Sequence, residues 1–385
     1  MQKNKILLDE MFLRRLVYGS AFLGSGGGGS IIAGLKFLDK ILHGSNVYLL
    51  TFPLSVKYQS LRGCIVCDIG SINEFDPQQD LALEYAFKDL LKYFDFRDSV
   101  KALFPIETGA ENTLAPIALA SMLDLYVIDG DGAGRAIPTL PLSSFSALGI
   151  IKNFTPVAIA NGEGDVMLVK SKTQESFDGL LRPIAGLKQF RNSASLALWP
   201  DKVKDLSQTC VPGTITRAMY CGQLFQGIRE QNTSLINDAI PKVNSLQGML
   251  LAKGLVEEMQ SEEESGFSFA TIKIKNQLRK EMITILAQNE NLIVYSDQAD
   301  GPIATAPDSI CYLNSEFWPL TNSEIKKGDK VFLIGVIADK RLRSDPMIRG
   351  FKELINNLGY AGQLDFKYPE TKKLGTLILE LTKYK

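Results

Sequence analysis

The sequence predicts two domains of different class: an α/β N-terminal domain with a mostly parallel sheet over residues 1–165, and a β-rich α+β domain over 166–385. Two observations predict this. Strand-like and helix-like hydrophobic patterns alternate through the first 150 residues, the signature of a helix-covered, mostly parallel sheet. Beyond about residue 155 strand-like segments dominate and turn signals separate them. The length, 385 residues, suits two domains of ordinary size.

Taken in order, Asp9 caps a helix that presents Phe12, Leu13, Leu16 and Val17 on one face. The run Gly24-Ser25-Gly26-Gly27-Gly28-Gly29 follows, and a second helix starts near Ser30. Strands are expected at Val47–Phe52, Gly63–Ile69, Leu103–Ile106 and Tyr126–Ile128. Asp76-Pro77-Gln78-Gln79 reads as a helix start, followed by Leu83, Phe87, Leu90 and Phe94 at helical spacing. Asn112–Leu123 is a further helix. Val157–Ala160 and Val166–Val169, joined through Asn161-Gly162, form a hairpin. One helix is expected over Ser234–Met259, with the acidic run Glu257–Glu264 as its solvated end and loop. Strands are expected at Phe267–Ile274, Met282–Ala287, Asn291–Tyr295, Ser309–Leu313 and Lys330–Ile337.

Composition narrows the function. Lys plus Arg (42) and Asp plus Glu (43) nearly cancel, leaving a net charge of -1. A nucleic-acid or anionic-membrane binder needs a basic field, so neither partner is expected. No segment approaches the roughly 20 apolar residues that span a bilayer. Five scattered cysteines are an odd set for a secreted disulfide framework, and reduced thiols in a cytoplasm are the expectation. Cys64 and Cys67 fit C-x-x-C only by spacing; in a strand they point to opposite faces and read as small buried hydrophobes. The single histidine, His43, precedes Gly44 at the end of an apolar helical pattern, which is a capping position. A triad or His-built zinc site would have to use it.

Three segments carry candidate chemistry. Glycines cost roughly 0.5–1 kcal/mol each relative to alanine inside regular structure, so Gly26, Gly27, Gly28 and Gly29 belong in a turn. Their N–H groups, at the start of a helix, are placed to cradle an anionic oxygen, and a tight helix-to-helix turn is the alternative. Neither a P-loop nor a dinucleotide fingerprint is present, because no Gly-Lys-Ser/Thr follows and a helix precedes the loop. Asp129-Gly130-Asp131-Gly132-Ala133-Gly134-Arg135 follows a strand directly, where parallel sheets place ligands. Asp129 and Asp131 suit a base or a cation, and Arg135 suits a substrate carboxylate. An Asx-turn with an internal Asp–Arg ion pair is the alternative. Glu107-Thr108-Gly109-Ala110-Glu111-Asn112 also leaves a strand; Glu107 stands where a catalytic carboxylate would, and Asn112 either orients substrate or caps a helix.

These three segments, in their order along the chain, resemble the S-methyl thiohydantoin desulfurase domain family, associated with hydantoinases. Pro212-Gly213-Thr214, Gln288-Asn289-Glu290-Asn291-Leu292 and Pro307-Asp308 fit its C-terminal domain, and the likeness runs from about 9 to 370. Departures include Ala110, Ala133, Ile137 and Ile72. The resemblance implies hydrolytic attack on a cyclic ureide or thio-ureide, with loss of a sulfur leaving group. Glu107, Asp129 or Asp131 is then base or metal ligand, Gly26 to Gly29 cradle the oxyanion, and Arg135 and Asn112 orient the ring. Any metal would be a divalent ion held by carboxylates. A non-catalytic binding protein is the competing expectation. Homo-oligomers or a complex with a hydantoinase-like enzyme are the expected assemblies.

Overall fold

The computed structural model describes residues 4–70, 78–96, 99–174, 176–191, 193–264, 266–362 and 370–384. Helix α1 (Glu10–Leu23) starts at Asp9, whose carboxylate accepts the Phe12 N–H at 2.7 Å. Helix α2 (Ile31–His43) starts at Ser30, whose Oγ accepts the Ala33 N–H at 3.0 Å. The glycine run therefore joins two helices, as expected. His43 closes α2 at the surface, with Nδ1 2.7 Å from the Asp39 carbonyl oxygen.

Strands β1 (Lys5–Leu7), β2 (Tyr48–Leu50), β3 (Arg62–Gly70), β4 (Val100–Pro105) and β5 (Tyr126–Ile128) belong to the first sheet. Between them run α3 (Val56–Gln59), α4 (Gln79–Phe94) and α5 (Ala115–Leu123). Strands β2, β5, β4 and β3 pair in parallel and form its centre. A short β6 (Gly130–Asp131) follows β5. After α6 (Ser144–Ala147) comes the antiparallel hairpin β7 (Val157–Ala160) and β8 (Val166–Val169). Next come α7 (Phe177–Ala185), β9 (Ser193–Lys202), α8 (Val203–Thr209) and β10 (Val211–Pro212), which pairs with β6. Among the described residues the first sheet has the order β1-β2-β5-β4-β3-β9-β7-β8. It thus takes β8 and β9 from beyond residue 165. The sheet is mostly parallel at its core and covered by helices on both faces. Cys64 packs with α1, α2 and α4 on one face, and Cys67 with α7 and α8 on the other. All five cysteines are free and buried. Asp76 and Pro77, read as the start of α4, lie outside the described residues.

Helix α9 (Thr214–Arg229) and α10 (Thr233–Val243) lead into the second sheet. Its strands are β11 (Gln247–Glu264), β12 (Phe267–Asn276), β13 (Glu281–Gln288), β14 (Glu290–Ser296), β15 (Pro302–Thr305), β16 (Ser309–Asn314), β17 (Pro319–Leu320), β18 (Lys330–Val336) and β19 (Lys372–Lys373). All its pairings among the described residues are antiparallel. Helices α11 (Asp345–Asn357) and α12 (Leu374–Glu380) complete the C-terminal part. This is the β-rich α+β class expected.

One segment overturns its sequence reading. The helix expected over Ser234–Met259 ends at Val243, and Gln247–Glu264 is a single long strand. Its register slips at Leu250/Ala252 and at Val256/Glu258. Each slip breaks the period-two alternation, so the buried residues Leu251, Ala252 and Val256 fall at spacings that also fit a helix. The acidic run is the exposed far end of this strand, paired with β12, and not a helix end.

Helices α1 and α9 touch backbone to backbone. A Cβ on Gly19 would overlap the Ala218 carbonyl, and one on Gly222 the Arg15 carbonyl. Backbone cannot step aside as a side-chain tip can. Gly222→Ala should therefore cost about 2–3 kcal/mol in urea unfolding, at the upper end of overpacking penalties. Gly301→Ala, with no neighbour within 4 Å, should stay within about 0.5 kcal/mol of wild type.

Candidate catalytic cavity

The carboxyl ends of β3 and β4 open into a cavity of ≈ 70 Å³, room for about five waters or one small ring. Gly28 and Gly29 border it from the α1–α2 loop, and Asp68 and Gly70 from the end of β3. Glu107, Glu111 and Asn112 follow β4, Asp178 and Arg182 come from α7, and Asn289 and Glu290 come from the turn between β13 and β14. The cavity thus lies where the two sheets meet.

Glu107 is buried and held at both oxygens. Its Oε1 accepts the Asn112 Nδ2–H at 2.7 Å, and its Oε2 accepts the Ile137 N–H at 2.7 Å. Asn112 Oδ1 in turn accepts the Asp68 N–H at 2.8 Å. Asn112 therefore ties the end of β3 to the carboxylate after β4. It does not cap α5, which begins at Ala115 after Leu114. Burial pushes the Glu107 carboxyl up to about 7.

The glycine run splits into two parts with different surroundings. At Gly26 (φ 88°) a Cβ would strike Asn322 and Asn291, and at Gly27 it would strike Glu290. Those two glycines are closed off by the C-terminal part: Asn322 N–H donates to the Gly26 carbonyl at 2.8 Å, and Asn291 N–H to the Ser25 carbonyl at 2.8 Å. Gly28 and Gly29 border the cavity instead, and no acceptor among the described residues takes their N–H groups.

The acidic-glycine-arginine loop does not border this cavity. Asp129 sits at the start of α9, where its carboxylate accepts the Thr216 N–H at 2.9 Å and the Thr216 hydroxyl at 2.5 Å. Asp131 folds back on its own loop, accepting the N–H groups of Ala133 at 2.8 Å and Gly134 at 2.6 Å, and the Thr108 hydroxyl at 2.5 Å. That is the Asx-turn form of the loop. Arg135 does not pair with either aspartate. Its Nε donates to the Ala136 carbonyl at 2.8 Å, Nη1 to Pro307 at 3.1 Å and Asp308 at 2.8 Å, and Nη2 to Asn291 at 3.1 Å. Its fork is spent on main-chain carbonyls, which leaves it fastening the two parts together.

Residues of the cavity that sequence reasoning did not single out include Asp178, Arg182 and Glu290. Arg182 bridges the Gly266 carbonyl at 3.0 Å and the Pro138 carbonyl at 2.7 Å, and lies 4.2 Å over the Phe267 ring. Burial pushes Asp178 up to about 6 and Glu290 up to about 8, the latter helped by Glu107. The sequence signal for Glu290 was there: Asn289-Glu290-Asn291 is a wholly polar run between two buried strand segments. No group of three or more His, Cys, Asp or Glu side chains among the described residues is arranged to hold a metal ion. No described helix is long and apolar enough to cross a membrane.

The N-terminal model of the S-Me-THD-like family matches residues 12–171, and its C-terminal model residues 172–351. The chain belongs to the S-Me-THD-like family. An X-ray structure of a protein from Chromobacterium violaceum is similar over 94% of this chain and 99% of that one, with a TM-score of 0.78 and 23% identity. That likeness extends the fold of this S-Me-THD-like chain to a second protein and says nothing of its chemistry. No protein with a curated description matches.

Two outcomes follow for this family member. Arg135→Lys keeps a charge but cannot reach all four carbonyls, so denaturant unfolding should show a loss of about 2–4 kcal/mol. The second concerns pH. Glu107 and Glu290 have folded values of about 7 and about 8, above the usual 4.5. The folded state therefore binds more protons than the unfolded chain in that window. Stability is highest below about 4.5 as far as these two groups are concerned, and falls as pH rises through about 7 and about 8. Thermal unfolding across that range should show a steeper decline for wild type than for the Glu107→Gln, Glu290→Gln double variant.

Proposed function

We propose that the chain is a hydrolytic desulfurase of an S-methyl thiohydantoin-like ring, acting in the cavity at the ends of β3 and β4. One observation carries this reading: a buried carboxyl group, Glu107, shares a small cavity with two main-chain N–H groups, those of Gly28 and Gly29, that have no acceptor among the described residues. The family name supports the ring and the sulfur chemistry.

The reaction needs water to add to the ring carbon that carries sulfur. Glu107, with its carboxyl near 7, takes one proton from that water as the C–O bond forms and the π pair of the ring C=N bond moves onto nitrogen. Asn112 and the Ile137 N–H fix the orientation of the carboxylate. The second water proton passes to that nitrogen, and the N–H groups of Gly28 and Gly29 stabilise the negative charge this leaves on the added oxygen. The C–S bond then breaks, its electron pair leaves with sulfur, and a proton completes methanethiol. The other water proton ends on a ring nitrogen, so one water is consumed and a hydantoin is released. Asp131 and Asp129 hold the neighbouring loop and α9 in place without touching the ring.

Incubation of the purified protein with S-methyl thiohydantoins should yield hydantoin and methanethiol in equal amounts. Glu107→Gln, which keeps shape but not basicity, should lower kcat by about 100- to 10,000-fold. No turnover across a panel of hydantoins and thiohydantoins, with and without divalent metal ions, contradicts the proposal.

A further inference from the structure

We propose that Glu290, delivered by the C-terminal part of the chain, is the catalytic acid that protonates the departing sulfur. The inference rests on the desulfurase reading and adds a second reacting group to it.

The turn that carries Glu290 is pinned on both sides. Asn289, at φ 58°, exchanges hydrogen bonds with Ser268: its N–H donates to the Ser268 carbonyl at 2.7 Å, and its Oδ1 accepts the Ser268 N–H at 2.8 Å. Asn322 Nδ2 donates to the Asn289 carbonyl at 2.9 Å. On the other side Asn291 Nδ2 donates to the Ile310 carbonyl at 2.8 Å, and the Tyr312 hydroxyl donates to Asn291 Oδ1 at 3.0 Å. Both neighbours are thus held in place. Glu290 between them is 3% exposed, borders the cavity, and its Oε2 has no partner among the described residues. Buried polar oxygens are nearly always paired, because an orphan costs about 1–3 kcal/mol. A partner that arrives with the ligand accounts for the orphan.

The way in is also prepared. A Cβ on Gly27 would meet Glu290 Cγ at 2.6 Å and Cδ at 2.7 Å, so glycine there is what lets the carboxyl reach the cavity. The charged groups that act on Glu290 are Glu107, Arg135 and Arg182. Burial is the largest influence, and with Glu107 it keeps the Glu290 carboxyl up at about 8, protonated at neutral pH. Glu107 accepts two hydrogen bonds that favour its carboxylate, from Asn112 and the Ile137 N–H, whereas Glu290 Oε2 accepts none among the described residues. Two carboxyl groups in environments that differ in this way divide into a base and an acid.

The step balances. As the C–S bond breaks, its electron pair goes to sulfur and the Glu290 carboxyl proton passes to that sulfur. Methanethiol leaves, and Glu290 is left as carboxylate. The proton that Glu107 took from water restores the Glu290 carboxyl, so no other reactant is needed.

The test varies the leaving group on the full chain. For S-methyl and S-(4-nitrophenyl) thiohydantoins, Glu290→Gln should lower kcat at least about 100-fold with the first and by less than about 5-fold with the second, because a stable thiolate needs no acid. Glu107→Gln should lower both alike. A wild-type kcat that changes little with thiol pKa supports the same assignment without relying on any variant. Equal losses on both substrates with Glu290→Gln, no loss on either, or a wild-type kcat that falls steeply as thiol pKa rises overturns it, while wild-type turnover of thiohydantoins leaves the desulfurase reading standing. Absence of wild-type turnover overturns both.

Discussion

The docking of the Gln288–Asn291 turn onto the glycine loop is the constraint on which the cavity depends. Asn291 takes the Ser25 carbonyl, Asn322 takes the Gly26 carbonyl, and Glu290 lies flat on Gly27. Arg135 locks the arrangement from behind by donating to Asn291, Pro307 and Asp308. These bonds are worth more than isolated ones. They are charge-assisted at Arg135 and sit where no water competes. They also explain why Ser25 can hold a left-handed φ of 56°: its Oγ accepts the Ile310 N–H at 2.8 Å, and the turn is fixed from outside.

A cavity built this way concentrates acids. Asp68, Glu107, Glu111 and Glu290 share it, with Arg182 as the guanidinium at its border. Burial raises the carboxyl pKa of Glu107, Glu111 and Glu290, and the charge of Glu107 raises the other two further. Protonation relieves that repulsion at the cost of stability toward higher pH. A structural core of the same shape would be more stable with apolar side chains. Buried, mutually repelling acids beside N–H groups with no acceptor among the described residues are the kind of expense found at functional sites.

Much of this was legible along the chain. The caps Asp9 and Ser30 placed α1 and α2, and the glycines between them could only be a turn. The end of a strand is also what puts Glu107 and Asn112 at the cavity. Other parts were not legible, for physical reasons. Three of the four partners of Arg135 are main-chain carbonyls more than 150 residues away, and a carbonyl has no sequence signature. Arg135 and Asp131, four residues apart and opposite in charge, suggest one site, yet each spends its hydrogen bonds elsewhere. Glu290 has no site signature of its own in the sequence, because what matters, a neighbour at Gly27, is 263 residues earlier. Strand β11 imitated a helix because two bulges disguise its period.

The central claim is that the ligand binds between Gly28–Gly29 and the Glu107–Glu290 pair. A crystal structure of the protein soaked with a hydantoin, the product-like ring, measures this directly. The ring should lie in that cavity, with an oxygen facing the Gly28 and Gly29 N–H groups and its exocyclic edge within hydrogen-bond reach of Glu290. A ring seated instead on the other side of the Arg135 loop, in the ≈ 450 Å³ cavity bordered by Gly134, Thr214 and Arg217, would contradict it.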